Sequence, residues 1–317
     1  MNKKLLAATV AAVITLTTGV AMANPVELDG STSLRYRSDN TNGNKNNTSI
    51  FRFTLNAKTE IATNLSVYAR FSAEGLSNGR IPAARDYSGT NNSRADLDNY
   101  GLLYSNAGFT YKIGQQSPVI GGLGLLYDAS GYLGDKDMGV VRGVNIKGKS
   151  GVTSLDFLAA QENNAGDDDG KIYAIRASYN PSKALTLGAT LAQYKKQIAV
   201  GNNGNFWATD VSYAAGKATY SAEYAKSNFS TDNQAYALGV SYAADAKNTL
   251  WVYNYKVEQH ADINAMTTFD SGDKGFYYGV DHKFNKDTAL HLFYRDKSNI
   301  KSGSNNTSFR ATVSYNF

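Results

Sequence analysis

The sequence has no cysteine, only 4 prolines and only 3 histidines among 317 residues. Without cysteine there is no disulfide and no thiolate metal site. The histidines, His260, His282 and His291, are too few and too scattered to suggest a metal centre or an acid–base pair. Asp281 and His282 are neighbours, so on a strand they would point to opposite faces. No G-x-S-x-G nucleophile elbow occurs, which removes one common route to a barrel hydrolase. Asp167-Asp168-Asp169-Gly170 lacks the alternate spacing and the distal glutamate of an EF-hand loop, and reads as a solvated loop tip. A strong excess of one charge is also missing. Lys and Arg number 32 against 27 Asp and Glu, which gives no argument for a nucleic-acid partner. No cofactor is expected.

Long apolar runs are absent after the N-terminus. Nothing there approaches the ~18 residues of a helical span. The N-terminus is different. Lys3 and Lys4 precede an apolar stretch over residues 5–20, and Ala21-Met22-Ala23 forms a small-x-small cleavage pattern. Residues 1–23 therefore read as a secretory signal peptide, with the working domain in residues 24–317.

What is abundant is tyrosine, 22 residues, and glycine, 29. With so little proline, this composition favours strands. The dominant pattern has period two. Over residues 26–37, Leu28, Gly30, Thr32, Leu34 and Tyr36 share one face, and Glu27, Asp29, Ser31, Ser33, Arg35 and Arg37 the other. The alternation recurs to the C-terminus. Seven short turns, such as residues 105–108 and 215–217, alternate with eight long polar loops. Residues 38–48, 116–138, 258–273 and 297–307 are among the long ones. Fifteen connections imply sixteen strands. Two segments, residues 94–104 and 140–149, have a mixed apolar phase, and their merging would lower the count to fourteen.

Short turns on one side, long loops on the other and an even strand number suit a transmembrane antiparallel β-barrel. Lipid leaves no water for backbone groups, so such a sheet must close. Tyr36, Tyr179, Trp207, Tyr213, Tyr242 and Tyr315 fall near strand ends on the apolar face, as an interfacial girdle requires. An all-β barrel of sixteen strands leaves a water-filled channel, whereas about eight would be filled by side chains.

The last strand ends on Phe317, with Phe309, Ala311, Val313, Tyr315 and Phe317 on one face. It resembles the C-terminal targeting strand of Gram-negative outer-membrane proteins. Gly108-Phe109-Thr110-Tyr111-Lys112-Ile113-Gly114-Gln115-Gln116 is similar to the fifth strand of the general porins, with Gln115 where arginine is usual. Lys286-Asp287-Thr288 is similar to the turn before that family's penultimate strand, without its Ser and Arg. The resemblance implies a homotrimer in the bacterial outer membrane, inserted by the barrel-assembly machinery. It also implies an inward-folded third loop, here residues 116–138, and passage of small hydrophilic solutes and ions among outer-membrane lipids. The loop over residues 75–93, with Arg80 and Arg85, is the candidate latch onto a neighbouring subunit.

Arg35, Arg37, Arg52, Arg70 and Arg310 all lie on the polar phase of strands that closure makes neighbours. Arg94, Arg142, Arg176 and Arg295 extend the set around the wall. Asp128, Asp135 and Asp137 lie in the third loop. Basic and acidic walls across a narrow aqueous gap would set pore selectivity, and the arginine excess points to mild anion preference. A substrate-specific channel for a sugar or carboxylate, a plugged adhesive barrel and an outer-membrane enzyme are the alternatives.

Overall fold

The structure, a computed structural model, describes residues 24–77, 93–131, 140–163, 169–196 and 203–317. The expected signal peptide, Arg80, Arg85, Asp135, Asp137, Asp167 and Asp168 lie outside these residues. Among the described residues there is no helix. None of the described residues therefore forms a helix long and apolar enough to cross a membrane.

Sixteen antiparallel strands close into one barrel. They are β1 (Glu27–Thr41), β2 (Asn44–Ala62), β3 (Leu65–Leu76), β4 (Ser93–Asn106) and β5 (Phe109–Gln116). Two short strands inside the third loop follow, β6 (Val119–Ile120) and β7 (Tyr127–Asp128), and pair only with each other. The barrel resumes with β8 (Val141–Ser150), β9 (Thr153–Glu162), β10 (Gly170–Tyr179), β11 (Leu185–Lys196) and β12 (Gly204–Ala215). It is completed by β13 (Ala218–Ser227), β14 (Gln234–Ala243), β15 (Asn248–Val257), β16 (Asp273–Lys283), β17 (Thr288–Asn299) and β18 (Asn305–Asn316). Each strand pairs with its neighbour in sequence, β5 with β8 across the third loop, and β18 closes on β1. The two segments of mixed phase are β4 and β8, so the count stays at sixteen.

Closure runs in register from Ser31↔Asn316 to Thr41↔Asn306. Gly30 and Phe317 extend it by exchanging backbone hydrogen bonds of 3.0 and 3.1 Å. Outward positions are apolar and exposed, among them Leu34, Phe51, Leu191, Leu238 and Val313. All six girdle aromatics lie on this outer face. With every barrel strand paired on both edges, no ladder of the described barrel is left open to lipid.

Two expected long loops are short. Residues 38–48 are strand apart from Asn42 and Gly43, with Thr41↔Asn44 in register. Asn42 (φ 50°) and Gly43 (φ 87°) both adopt the left-handed backbone of a two-residue hairpin turn, which Asn-Gly favours. Residues 297–307 likewise continue β17 to Asn299 and begin β18 at Asn305. In both hairpins the apolar alternation stops before the pairing does, because the strand tips stand clear of lipid.

Strand β4 carries a bulge. Arg70 pairs with Asn99 and Phe71 with Leu97, so Asp98 is the extra residue. Above it Leu97 faces outward, and below it Tyr100, Leu102 and Tyr104 do. The outward phase changes from odd to even numbers at Asp98, which is why this segment reads as mixed.

Candidate pore constriction

The third loop does enter the barrel, and the structure shows what holds it there. From β5 the chain crosses the lumen to β13, where the Glu223 carboxylate accepts three backbone N–H groups. These are Gly122 at 3.2 Å, Leu123 at 2.6 Å and Leu125 at 3.4 Å. Gly121 and Gly124 have positive φ, and this curls the amides around the one carboxylate. A side chain at Gly122 would collide with Asp210, which is fixed by an ion pair with Arg176. The opposite side of the loop packs on small inward residues, Ala174, Ala192, Ala208, Ala225 and Ala237. These alanines make room for Leu125, Leu126 and Tyr127, all fully buried.

A second inward loop, residues 258–272, was not foreseen. It joins β15 to β16 and pairs with the third loop through backbone bonds. Ile263 N donates to Leu126 O at 2.9 Å, Asp128 N to Met266 O at 2.8 Å, and Thr268 N to Gly124 O at 3.1 Å. Its tip, Asn264, reaches across to Glu162 on β9 at 3.2 Å. Glu162 also accepts the hydroxyls of Tyr194 at 2.7 Å and Tyr127 at 3.4 Å. The two loops and β8 to β16, with Phe293 of β17, therefore fill one side of the lumen with a packed core. The other side is walled by β1 to β4, β17 and β18.

That wall carries the five arginines. Arg35 donates to Thr312 Oγ1 at 3.0 Å, and Arg37 pairs with Asp39 at 2.6 Å. Arg52 pairs with Glu74, which Arg94 also approaches at 3.9 Å. Arg70 pairs with Asp98 at 2.7 Å. Arg310 forms no ion pair and donates no hydrogen bond to another described residue, and its buried Nε has no partner. Its guanidinium lies over the Phe293 ring, 4.9 Å from the centroid. Of the further arginines, Arg142 donates to Gln115 Oε1 at 3.1 Å. Gln115 thus supplies an acceptor at the position where the family resemblance leads one to expect a cation.

Of the three acids expected in the third loop, only Asp128 lies among the described residues. Asp128 is turned into the seam between the two loops, accepting Ser130 N at 2.8 Å and the Thr268 hydroxyl at 2.8 Å. Among the described residues, the acids that face the wall cations are Asp39, Glu74 and Asp98 on the wall itself and Asp270 in the second inward loop. Asp270 binds Arg295 at 2.7 Å and Lys297 at 3.1 Å. Burial opposes its ionisation, but these two cations and the Tyr277 hydroxyl outweigh that and hold its carboxyl well below the usual range. In the same loop, burial pushes the Asp262 carboxyl up to about 7, and the Ala265 amide offsets this only in part. Its Oδ1 accepts Ala265 N at 2.9 Å, and its Oδ2 has no partner. Glu74 lies on the polar phase of its strand and was legible as lumen-facing. Asp98 was hidden by the bulge, and nothing in the sequence marked Asp270.

Comparisons with known proteins agree with this architecture. A family model for Gram-negative porins matches residues 7–302. No curated protein matches the chain by sequence. Among solved structures, a triple mutant of the Rhodopseudomonas blastica porin aligns with TM-score 0.59 and 13% identity, covering 92% of this chain and 100% of that one. Salmonella typhi OmpF, in a complex with daunomycin, aligns with TM-score 0.63 and 16% identity, covering 94% and 99%. At such identities these structures speak for the fold, while the family match extends over nearly the whole sequence. The family match points to a channel. The chain belongs to the Gram-negative porins, channel-forming β-barrels of the outer membrane.

Proposed function

We propose that this porin passes small hydrophilic solutes and ions with a mild preference for anions. The observation that carries the reading is Arg310, a lumen guanidinium with no carboxylate against it among the described residues. Arg35, which donates to the Thr312 hydroxyl, lies beside it across the β1–β18 seam. Elsewhere on the wall the acids are shared: Glu74 faces both Arg52 and Arg94. Most cations are thus partly neutralised, so the field favours anions without excluding cations. Reversal potentials across a potassium chloride gradient test this. Chloride should carry the larger share, and Arg310→Ala should reduce that share. A cation-selective channel would overturn the anion preference and leave the porin standing.

The family resemblance also supports a homotrimer, a leader removed after Ala23, and β18 as the strand read by the barrel-assembly machinery through Phe309, Val313, Tyr315 and Phe317. Native mass measurement and N-terminal sequencing of the membrane-extracted protein check the first two.

A further inference from the structure

The passage has an aromatic wall that simple diffusion of polar solutes does not require. Trp251 on β15 and His291 and Phe293 on β17 face the lumen, and Phe269 of the second inward loop stands opposite Leu123 of the third. Large rings facing water gain little unless an apolar surface packs on them.

Trp251 is held in a fixed orientation. Its Nε1 donates to Asp281 Oδ2 at 2.9 Å. Its indole lies over Gly279, where a side chain would fall inside the ring. One face stacks on His291, with centroids 5.7 Å apart and planes at 23°. Phe293 follows at 5.8 Å and carries Arg310 on its face. Asp281 is occupied by Trp251 and by His291 Nδ1 at 2.6 Å. Asp270 is occupied by Arg295 and Lys297. The ledge therefore ends on one cation, Arg310, that has no anion of its own among the described residues. A cavity of about 380 Å³ lies between these rings and Arg35 and Arg310.

We propose that this ledge is a binding subsite for a planar aromatic monocarboxylate, which the channel passes by way of it. The ring of the solute lies against Trp251 and Phe293, and its carboxylate takes the guanidinium of Arg310. A planar fork matches a carboxylate, and a flat π face matches a flat ring. The volume is at the small end for ligand sites, which suits one ring better than several. A cationic solute would meet Arg35, Arg295 and Arg310, while the described carboxylates nearby, Asp270 and Asp281, are already engaged. The inference rests on the anion-passing reading above.

The test uses the full-length protein in planar bilayers, with benzoate, cyclohexanecarboxylate and acetate added at equal concentration. Benzoate should produce saturable interruptions of the chloride current. Cyclohexanecarboxylate, equal in charge but not flat, should require about tenfold more, and acetate should produce none. Trp251→Leu should raise the half-blocking benzoate concentration by about tenfold. Equal block by the flat and the puckered acid, or unaltered block in Trp251→Leu, would overturn the subsite while leaving the anion-selective pore intact. Loss of selectivity for chloride in the untreated channel would instead count against the reading beneath it. Benzoate titration of the indole fluorescence of the folded Trp207→Phe protein in detergent, where Trp251 is the remaining tryptophan, decides the matter independently of conductance. A saturable change supports the subsite, and none refutes it.

Discussion

The ring of Phe317 occupies the space that a side chain on Gly30 would fill. The two residues exchange backbone hydrogen bonds, and the ring stacks on Phe53 with centroids 6.2 Å apart. The C-terminal residue is thus seated in a notch on the first strand, and glycine is the residue that leaves the notch open.

Gly30→Val should displace that ring and strain the closing seam, at a cost of about 1–3 kcal/mol. Urea unfolding of the refolded barrel in detergent measures it. Adding Phe317→Ala should recover only part of the loss, because a side chain at Gly30 also meets the Thr54 carbonyl.

Glu223→Ala should release the third loop, since three amide donors lose their acceptor together. Each buried donor left bare costs about 1–3 kcal/mol. Larger and noisier single-channel conductance is the expected readout. Glu223→Gln, which keeps a carbonyl acceptor, should lie between.

Arg70→Ala removes the charge that faces the fully buried Asp98. Breaking such a pair on one side costs about 3 kcal/mol or more. The double variant Arg70→Ala with Asp98→Asn should be the more stable of the two, as thermal unfolding would show.

The second inward loop should respond to pH through Asp262. Its carboxyl titrates near 7 when the loop is docked and near its ordinary, lower value when the loop is undocked. The docked loop therefore holds the proton more tightly. Its stabilisation is complete below about pH 4 and is lost as pH rises through about 7. Hydrogen exchange of residues 261–268 should accelerate over that window. Asp262→Asn should flatten the dependence.

Alternation made the barrel legible because lipid on one side and water on the other impose period two on every strand. It failed where that contrast ends. At Asn42-Gly43 the strands outlast the membrane, so polarity suggested a loop although the dipeptide itself specifies a tight hairpin. At Asp98 one extra residue reversed the phase of β4. The arginines were legible from their phase alone, but their partners were not. Asp98 depends on the bulge, and Asp270 depends on a loop whose inward path follows from its pairing with Leu126 and Gly124, not from any local pattern. The alanines on the inward phase of β10 to β14 were the available sign that something must pack against them.

The arginine wall straddles the seam where the chain's two ends meet, and Arg37 stands directly across from Arg310 in the closing register. An open sheet carries these cations at opposite margins, far apart. The last pairing to form must bring like charges together, and Asp39 beside Arg37 eases that approach. On the anion-passing proposal, a barrel caught short of closure would leak without discrimination, since the arginines would come together as a filter only when the first strand finds the last.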